Sequence, residues 1–137
     1  LLENGYTKIS ESDFKGEGEK TYMDKEGGKF FSFSYDDNRI TKITLSVEIA
    51  YSDTEYSSKE EAKEGIENII AELPQIKGVE YSAEYEDSYF IFTKSWDFVK
   101  GSFEEFEEED SDFAFIEEDM YMTRMAGRAT YRGWIEK

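Results

Sequence analysis

The spacing of apolar residues changes near the middle of the chain, and this change indicates the fold class. Residues 40–53, ITKITLSVEIAYSD, carry an apolar side chain at alternate positions, namely Ile43, Leu45, Val47, Ile49 and Tyr51. This alternation predicts a half-buried β-strand. In residues 57–74, SSKEEAKEGIENIIAELP, the period becomes about 3.6, which predicts an amphipathic helix. Ser58 and Glu61 match a capping box, and Pro74 marks the end of the helix.

Further strand patterns lie on both sides of this helix. Residues 21–37, TYMDKEGGKFFSFSYDD, have the pattern of two strands joined by a turn at Gly27 and Gly28. Residues 79–87, VEYSAEYED, alternate between apolar and polar side chains, whereas residues 89–95, YFIFTKS, are apolar on both faces. We therefore expect the latter strand to be covered on both sides and to lie beside the similar KFFSFSY strand. Together the patterns predict an α+β fold with a mostly antiparallel sheet packed against one long helix.

The C-terminal segment is compatible with two secondary structures. Arg124, Arg128 and Arg132 have the spacing of one helix face, which predicts a second helix that ends near Gly133. The segment is also compatible with a strand, because Gly127 weakens a helix by about 1 kcal/mol relative to alanine. We interpret the three arginines as intramolecular partners of the acidic residues before them. The sheet carries more aromatic residues than one face can hold, so the second helix is expected to cover the face away from the first helix.

Length and composition limit the class of protein. The 137 residues fit one domain, residues 1–137, in which residues 1–19 form a partly irregular N-terminal segment. Cysteine and histidine are absent from the sequence, so disulfides, Cys/His zinc sites and thiol or imidazole catalysis are excluded. The net charge of −17 opposes direct binding to nucleic-acid phosphates. No segment of the sequence reaches the roughly 20 apolar residues of a membrane span.

The strongest local signal is an acidic stretch, SFEEFEEEDSDFAFIEED, residues 102–119, which holds ten carboxylates and no basic residue. It lacks the glycine turn and the ligand order of an EF-hand. We therefore interpret it as a solvated loop or helix surface that phenylalanines anchor to the core, namely Phe103, Phe106, Phe113 and Phe115. A cation site, for calcium above all, is the alternative. Its expected ligands are Glu108, Asp110 and Asp112, because alternate positions in an extended loop point the same way.

No sequence motif indicates catalysis. The chain lacks the G-x-S-x-G, P-loop and Rossmann patterns. Among its 33 Asp and Glu residues, some pair is expected at glycosidase spacing by chance alone. We therefore predict a protein that is not an enzyme and that has no cofactor. Aromatic side chains with polar tips favour a binding surface instead, and Tyr81, Tyr85 and Trp96 are the candidate ligand-binding residues.

Several segments carry a resemblance to a known family. RITKIT, KEEAKEGIENI, IKGVEYSAEYEDSY and TKSWDF occur in an order and spacing, over about residues 20–106, that resembles the YehR-like family of small bacterial lipoproteins, whose function is uncharacterised. The resemblance implies an α+β domain on the extracytoplasmic face of the cell envelope. It also implies that the full-length protein is held there by a lipidated cysteine upstream of this chain. The family offers no catalytic residues to transfer.

Two functions are compatible with these observations. The first is a non-enzymatic envelope lipoprotein domain that binds a ligand or protein partner and meets the membrane only through its lipid anchor. The second is an acidic intracellular protein that mimics nucleic acid and competes for a basic partner surface.

Overall fold

Six β-strands and three α-helices make up the part of the chain that the computed structural model describes, residues 10–109 and 121–137. The strands are β1 (Glu17–Met23), β2 (Lys29–Asp36), β3 (Arg39–Ala50), β4 (Val79–Tyr85), β5 (Tyr89–Asp97) and β6 (Ile135–Glu136). The helices are α1 (Lys59–Glu72), α2 (Phe103–Glu109) and α3 (Met122–Tyr131), with short 3-10 helices at Glu11–Phe14 and Tyr51–Asp53. All described strand pairs are antiparallel, in the order β4-β5-β3-β2-β1-β6. The predicted α+β class and antiparallel sheet are confirmed.

A side chain closes the first tight turn of the β1–β2–β3 meander. In the first turn, the Asp24 carboxylate oxygen Oδ1 accepts the backbone N–H groups of Gly27, Gly28 and Lys29 at 2.8, 3.1 and 3.2 Å. Gly27 has a φ of 84°, which glycine adopts readily, so the predicted Gly27–Gly28 hairpin is confirmed.

The three described helices pack on one face of the sheet, which we call the helix face. Ala62 and Ile66 of α1 pack in a cluster with Phe90, whereas α3 packs in the cluster that contains Trp96. Phe90 and Trp96 are both on β5 and are separated by an even number of residues, so their side chains point to the same side of the sheet. The opposite face, the open face, has no described helix packed on it.

The structure differs from three predictions. The final helix does not cover the face away from the first helix, and within the described residues β5 is covered by helices on the helix face only. The physical reason is that β5 presents Thr93 and Ser95 to the open face, where Thr44 and Ser46 of β3 are their neighbours. These small polar side chains form no apolar surface on which a helix would pack. In addition, β3 lies between β5 and β2, so β5 is not a neighbour of the KFFSFSY strand.

The main core lies between the sheet, α2 and α3. Phe33, Ile43, Trp96 and Phe106 are fully buried there, and Phe103 packs against them. Phe103 and Phe106 therefore anchor the start of the acidic stretch as predicted. Phe113 and Phe115 lie outside the described residues.

The N-terminus of α3 is held by the β2–β3 turn. Asn38 is only 5% exposed, and its backbone carbonyl accepts the Met122 N–H at 2.6 Å. Its side-chain Oδ1 accepts the Thr123 N–H at 2.9 Å. These bonds satisfy N–H groups that the first turn of a helix leaves without partners. The C-terminal helix is thus confirmed, and Trp134 after it stacks on Phe31 with ring centroids 4.3 Å apart.

Candidate functional site: the outer edge of β4

The outer side of β4 is an open sheet edge in the part of the chain that is described. β4 stands at the end of the strand order, so it pairs only with β5 there. Hydrogen bonds at the two ends of this hairpin show which peptide groups face outward. The Asp97 N–H donates to the Gly78 carbonyl, and the Glu86 N–H donates to the Tyr89 carbonyl, both at 2.8 Å. The pairs 78/97 and 86/89 are therefore hydrogen-bonded pairs.

Alternation along the hairpin extends this result to every residue of β4. In an antiparallel pair, residues that bond to the neighbouring strand alternate with residues whose N–H and C=O groups point away from it. The uninterrupted register of β4 and β5 therefore directs the peptide groups of Glu80, Ser82 and Glu84 toward β5. Those of Tyr81, Ala83 and Tyr85 point outward, and we call these three residues' backbone groups the β4 edge.

A groove lies over the first half of β4 and the adjoining parts of β5 and β3, mainly on the open face, and we call it the β4 groove. Its volume is about 510 Å³. Ile70 of α1 and Pro74 of the following loop supply apolar atoms, and Val79 and Tyr81 border it. The rest of the lining is polar, namely Lys42, Thr44, Gln75, Glu80, Ser82, Thr93 and Ser95. The mixture of hydroxyl, charged and apolar groups suits an amphipathic ligand better than a purely apolar one.

The side chains of β4 divide sharply by chemistry. Glu80, Ser82 and Glu84 are exposed and point to the open face. Tyr81 and Tyr85 are half-buried and point to the helix face, where Tyr85 packs in the cluster beneath α1. One side of the β4 edge is therefore acidic and the other is aromatic and apolar.

Two of the three predicted ligand-binding residues meet around a buried lysine. The Nζ atom of Lys94 lies 5.1 Å from the ring centroid of Tyr81 and 5.1 Å from that of Trp96. Ammonium groups at this distance over aromatic faces are stabilised by the ring quadrupole. Trp96 is 0% exposed, so it supports the cluster from the core, whereas Tyr81 borders the β4 groove.

Lys94 itself was missed in the sequence analysis. It is only 6% exposed. The sequence feature that could have identified it is its position in β5. Lys94 is on the same face of the strand as Phe90, Phe92 and Trp96, and the other residues on that face are apolar. Such a position points into the packed side of the strand, where a lysine is rare unless aromatic or charged groups receive it.

Tyr85, the third predicted residue, lies at the other end of β4. Its ring is 6.2 Å from that of Phe90. Burial, followed by the nearby Glu67 carboxylate, raises the pKa of Tyr85 to about 12. Its hydroxyl oxygen is buried and has no hydrogen-bond partner of acceptable geometry within the described residues. The structure therefore separates Tyr85 from the Tyr81–Lys94–Trp96 cluster.

The predicted cation site is mostly outside the described residues. Glu108 lies exposed on α2, and Asp110 and Asp112 fall in the part of the chain that is not described. Within residues 10–109 and 121–137, no group of three or more acidic side chains is placed to hold a metal ion. Nor does any helix there have the length and apolar character needed to cross a membrane. The calcium site remains a prediction.

Comparisons with known proteins agree with the fold. The structure resembles the NMR structure of YehR from Escherichia coli with a TM-score of 0.64 and 20% identity, over 88% of this chain and 90% of that one. It also resembles the NMR structure of a protein from Streptococcus pneumoniae TIGR4, with a TM-score of 0.70 and 11% identity, over 96% of this chain and 92% of that one. No curated protein gives a significant match.

A family model extends this likeness to the sequence. Residues 18–125 match the model of DUF1307, which is described as a protein of unknown function. This match and the likeness to YehR confirm the YehR-like resemblance that the sequence indicated. The chain belongs to the DUF1307 family.

Proposed function

We propose that this domain is a non-enzymatic binding module and that a polypeptide partner docks at the β4 edge. The observation that supports the proposal is the row of outward-facing peptide groups of Tyr81, Ala83 and Tyr85 beside the β4 groove. Natural proteins usually cover or block such an edge, because its unpaired N–H and C=O groups readily pair with another chain. An edge that no described segment covers, next to a groove, is suited to recognition of main-chain groups.

The surroundings of the edge favour binding over chemistry. Hydroxyl groups, one lysine, one glutamate and apolar side chains line the groove, and these groups provide hydrogen bonds, charge and apolar contact. Tyr81 is the predicted ligand-binding residue at this position. Lys94 and Trp96 are positioning residues, because their contacts fix the Tyr81 ring on the helix face of the site.

We further propose that the full-length protein carries this domain on the extracytoplasmic face of the cell envelope as a lipoprotein. The support is the family likeness to YehR-like proteins. The test is metabolic labelling of the full-length protein with a radioactive fatty acid. We expect label in the wild-type protein and none when the cysteine after the signal peptide is changed to serine. A full-length protein that takes up no label and fractionates with cytoplasmic proteins would refute the location.

The binding proposal is tested by amide chemical-shift mapping against two ligand panels. One panel contains small polar molecules, namely saccharides and free amino acids, and the other contains capped synthetic peptides of varied sequence. We expect peptides to shift amides of Val79–Tyr85 and of Gln75 at lower concentrations than the small molecules do. Shifts that gather elsewhere on the protein, or no shifts with either panel, would overturn the proposal. Lysine and arginine peptides are compared at two salt concentrations, because a net charge of −17 attracts any basic peptide.

A further inference from the structure

We infer that the β4 edge accepts an extended segment as an additional strand of the sheet, and that this segment alternates basic residues with apolar ones. The inference rests on the proposed function, since it names the partner chemistry of the same site. Three features of the molecule support it, namely the direction of the peptide groups, the side chains on each side of β4 and the charge that opposes a second copy of the chain.

The backbone geometry sets the register of the incoming segment. Tyr81, Ala83 and Tyr85 each offer one N–H and one C=O at the β4 edge, and they recur at every second residue. An extended strand presents its own groups with the same period, at about 3.3–3.4 Å per residue, so alternate residues of a partner meet all three positions. The Val79 N–H already donates to the Ile76 carbonyl at 2.9 Å. Donation to the partner therefore begins at Tyr81.

The side chains beside β4 set the composition of the segment. A strand added here points its side chains alternately toward the two faces of the sheet. On the open face they meet the exposed carboxylates of Glu80 and Glu84, which favour lysine or arginine. On the helix-face side they meet the rings of Tyr81 and Tyr85 and, beneath α1, Ile70, which favour apolar side chains. The matching sequence thus alternates basic and apolar residues.

Charge argues against a second copy of this chain as the occupant. Antiparallel pairing of two β4 edges centred on Ser82 would place Glu80 opposite Glu84 of the second copy. Pairing centred on Ala83 would place Glu80 opposite Glu86. Like charges directly opposite each other destabilise a strand pair, and each chain also carries a net charge of −17. A basic partner turns the same carboxylates into favourable pairs.

Proline at Ala83 blocks the edge without removing a bond inside the sheet. The Ala83 N–H points outward, so proline there removes a donor to the partner and leaves the ladder to β5 intact. A second variant, Glu80→Lys combined with Glu84→Lys, changes only exposed side chains and reverses the charge of the open-face side. Its control is Glu17→Lys on β1, which reverses the charge of one exposed carboxylate on a different strand.

The probe is a capped peptide of alternating lysine and valine, about nine residues long to cover a typical strand. Its control is the isomer with all lysines before all valines, which has the same charge and composition. We expect the alternating peptide to bind at least about tenfold more tightly, and its affinity to fall at least about tenfold with Ala83→Pro and with the double lysine variant. Glu17→Lys is expected to leave the ratio of the two affinities unchanged. Amide hydrogen exchange of Tyr81, Ala83 and Tyr85 is expected to slow in the complex.

Each other result overturns the inference in a distinct way. Equal affinity for the two isomers means that charge alone attracts the peptide, with no added strand. Slowed exchange at other residues places the peptide elsewhere. If the alternating peptide fails while another member of the peptide panel shifts β4 amides, strand addition by a basic segment is wrong and the proposed function stands. If no panel member shifts these amides, both are wrong.

Discussion

Replacing Asn38 tests whether one side chain ties the β2–β3 turn to α3. Two substitutions separate its two roles, since Asn38 has a φ of 70° as well as hydrogen bonds to α3. Asn38→Gly keeps the left-handed backbone accessible and removes the side-chain bonds. Asn38→Ala removes the bonds and also forces a Cβ-bearing residue without a polar side chain into that conformation.

The structure sets the expected magnitudes. Loss of the Thr123 N–H bond at 2.9 Å leaves a part-buried donor without its partner, which costs about 1–3 kcal/mol of unfolding free energy. The second bond, from Nδ2 to the Thr123 hydroxyl, is 3.4 Å long and adds little. Because the donor is only part-buried, we expect Asn38→Gly to cost about 1–2 kcal/mol. Asn38→Ala is expected to cost about 1 kcal/mol more, because alanine is strained at positive φ.

Urea unfolding is a suitable assay. Trp134 and Trp96 report the packing on both sides of α3 by fluorescence, and circular dichroism reports helix content. Asn68→Ala on the exposed surface of α1 is the matched control, and we expect a change below about 0.5 kcal/mol. Equal losses for Asn38→Gly and Asn38→Ala would refute the strain argument. Losses no larger than that of Asn68→Ala would refute the cap itself.

Four further predictions follow from contacts described above. Tyr85→Phe removes a buried hydroxyl that has no described partner, so it is expected to leave the unfolding free energy unchanged or to raise it by up to about 1 kcal/mol. A decrease of the unfolding free energy in urea would contradict this and reveal a partner. Burial, then the nearby Glu136 carboxylate, raises the pKa of Tyr22 from 10.0 to about 12. Tyr22 therefore ionises at lower pH in the unfolded chain than in the folded one. Its contribution to the unfolding free energy is constant below pH 10 and falls by up to about 3 kcal/mol toward pH 12. Urea unfolding across this pH range should show a smaller loss of unfolding free energy for Tyr22→Phe than for the wild-type protein. Ser82→Pro is expected to destabilise the fold by about 3 kcal/mol more than Ala83→Pro, because the Ser82 N–H bonds to β5 and the Ala83 N–H does not. Equal melting temperatures of the two variants would contradict the assigned pairing. Calcium, magnesium and sodium chloride at matched ionic strength should raise the melting temperature equally by screening the −17 charge, and a calcium-specific rise would instead establish the predicted cation site.

The local elements were largely predictable from the residues themselves. The period-two pattern of residues 40–53 became β3 followed by a short 3-10 helix. The period near 3.6 became α1, with the Ser58 hydroxyl accepting the Glu61 N–H at 3.1 Å as its cap. These patterns depend on backbone geometry within a few residues, which each segment carries by itself.

The candidate site was predictable only in part. Tyr81 was identified from its amphipathic ring, but its partner Lys94 was not, because a lysine has the same appearance in a sequence whether it is buried or exposed. The open edge was also beyond the sequence, since strand order in a sheet depends on which strands pair across the chain.

The sequence by itself determined the order and type of the elements from β1 to β5, the α+β class, the acidic charge and the absence of cysteine and histidine chemistry. Tertiary structure alone decided that α1 and α3 share one face, that β4 is an edge and that Lys94 is buried between aromatic rings. The reason is the range of the interactions involved. Periodicity is a local property, whereas the bond between Asn38 and Thr123 joins residues 85 positions apart, and only the folded chain brings such groups together.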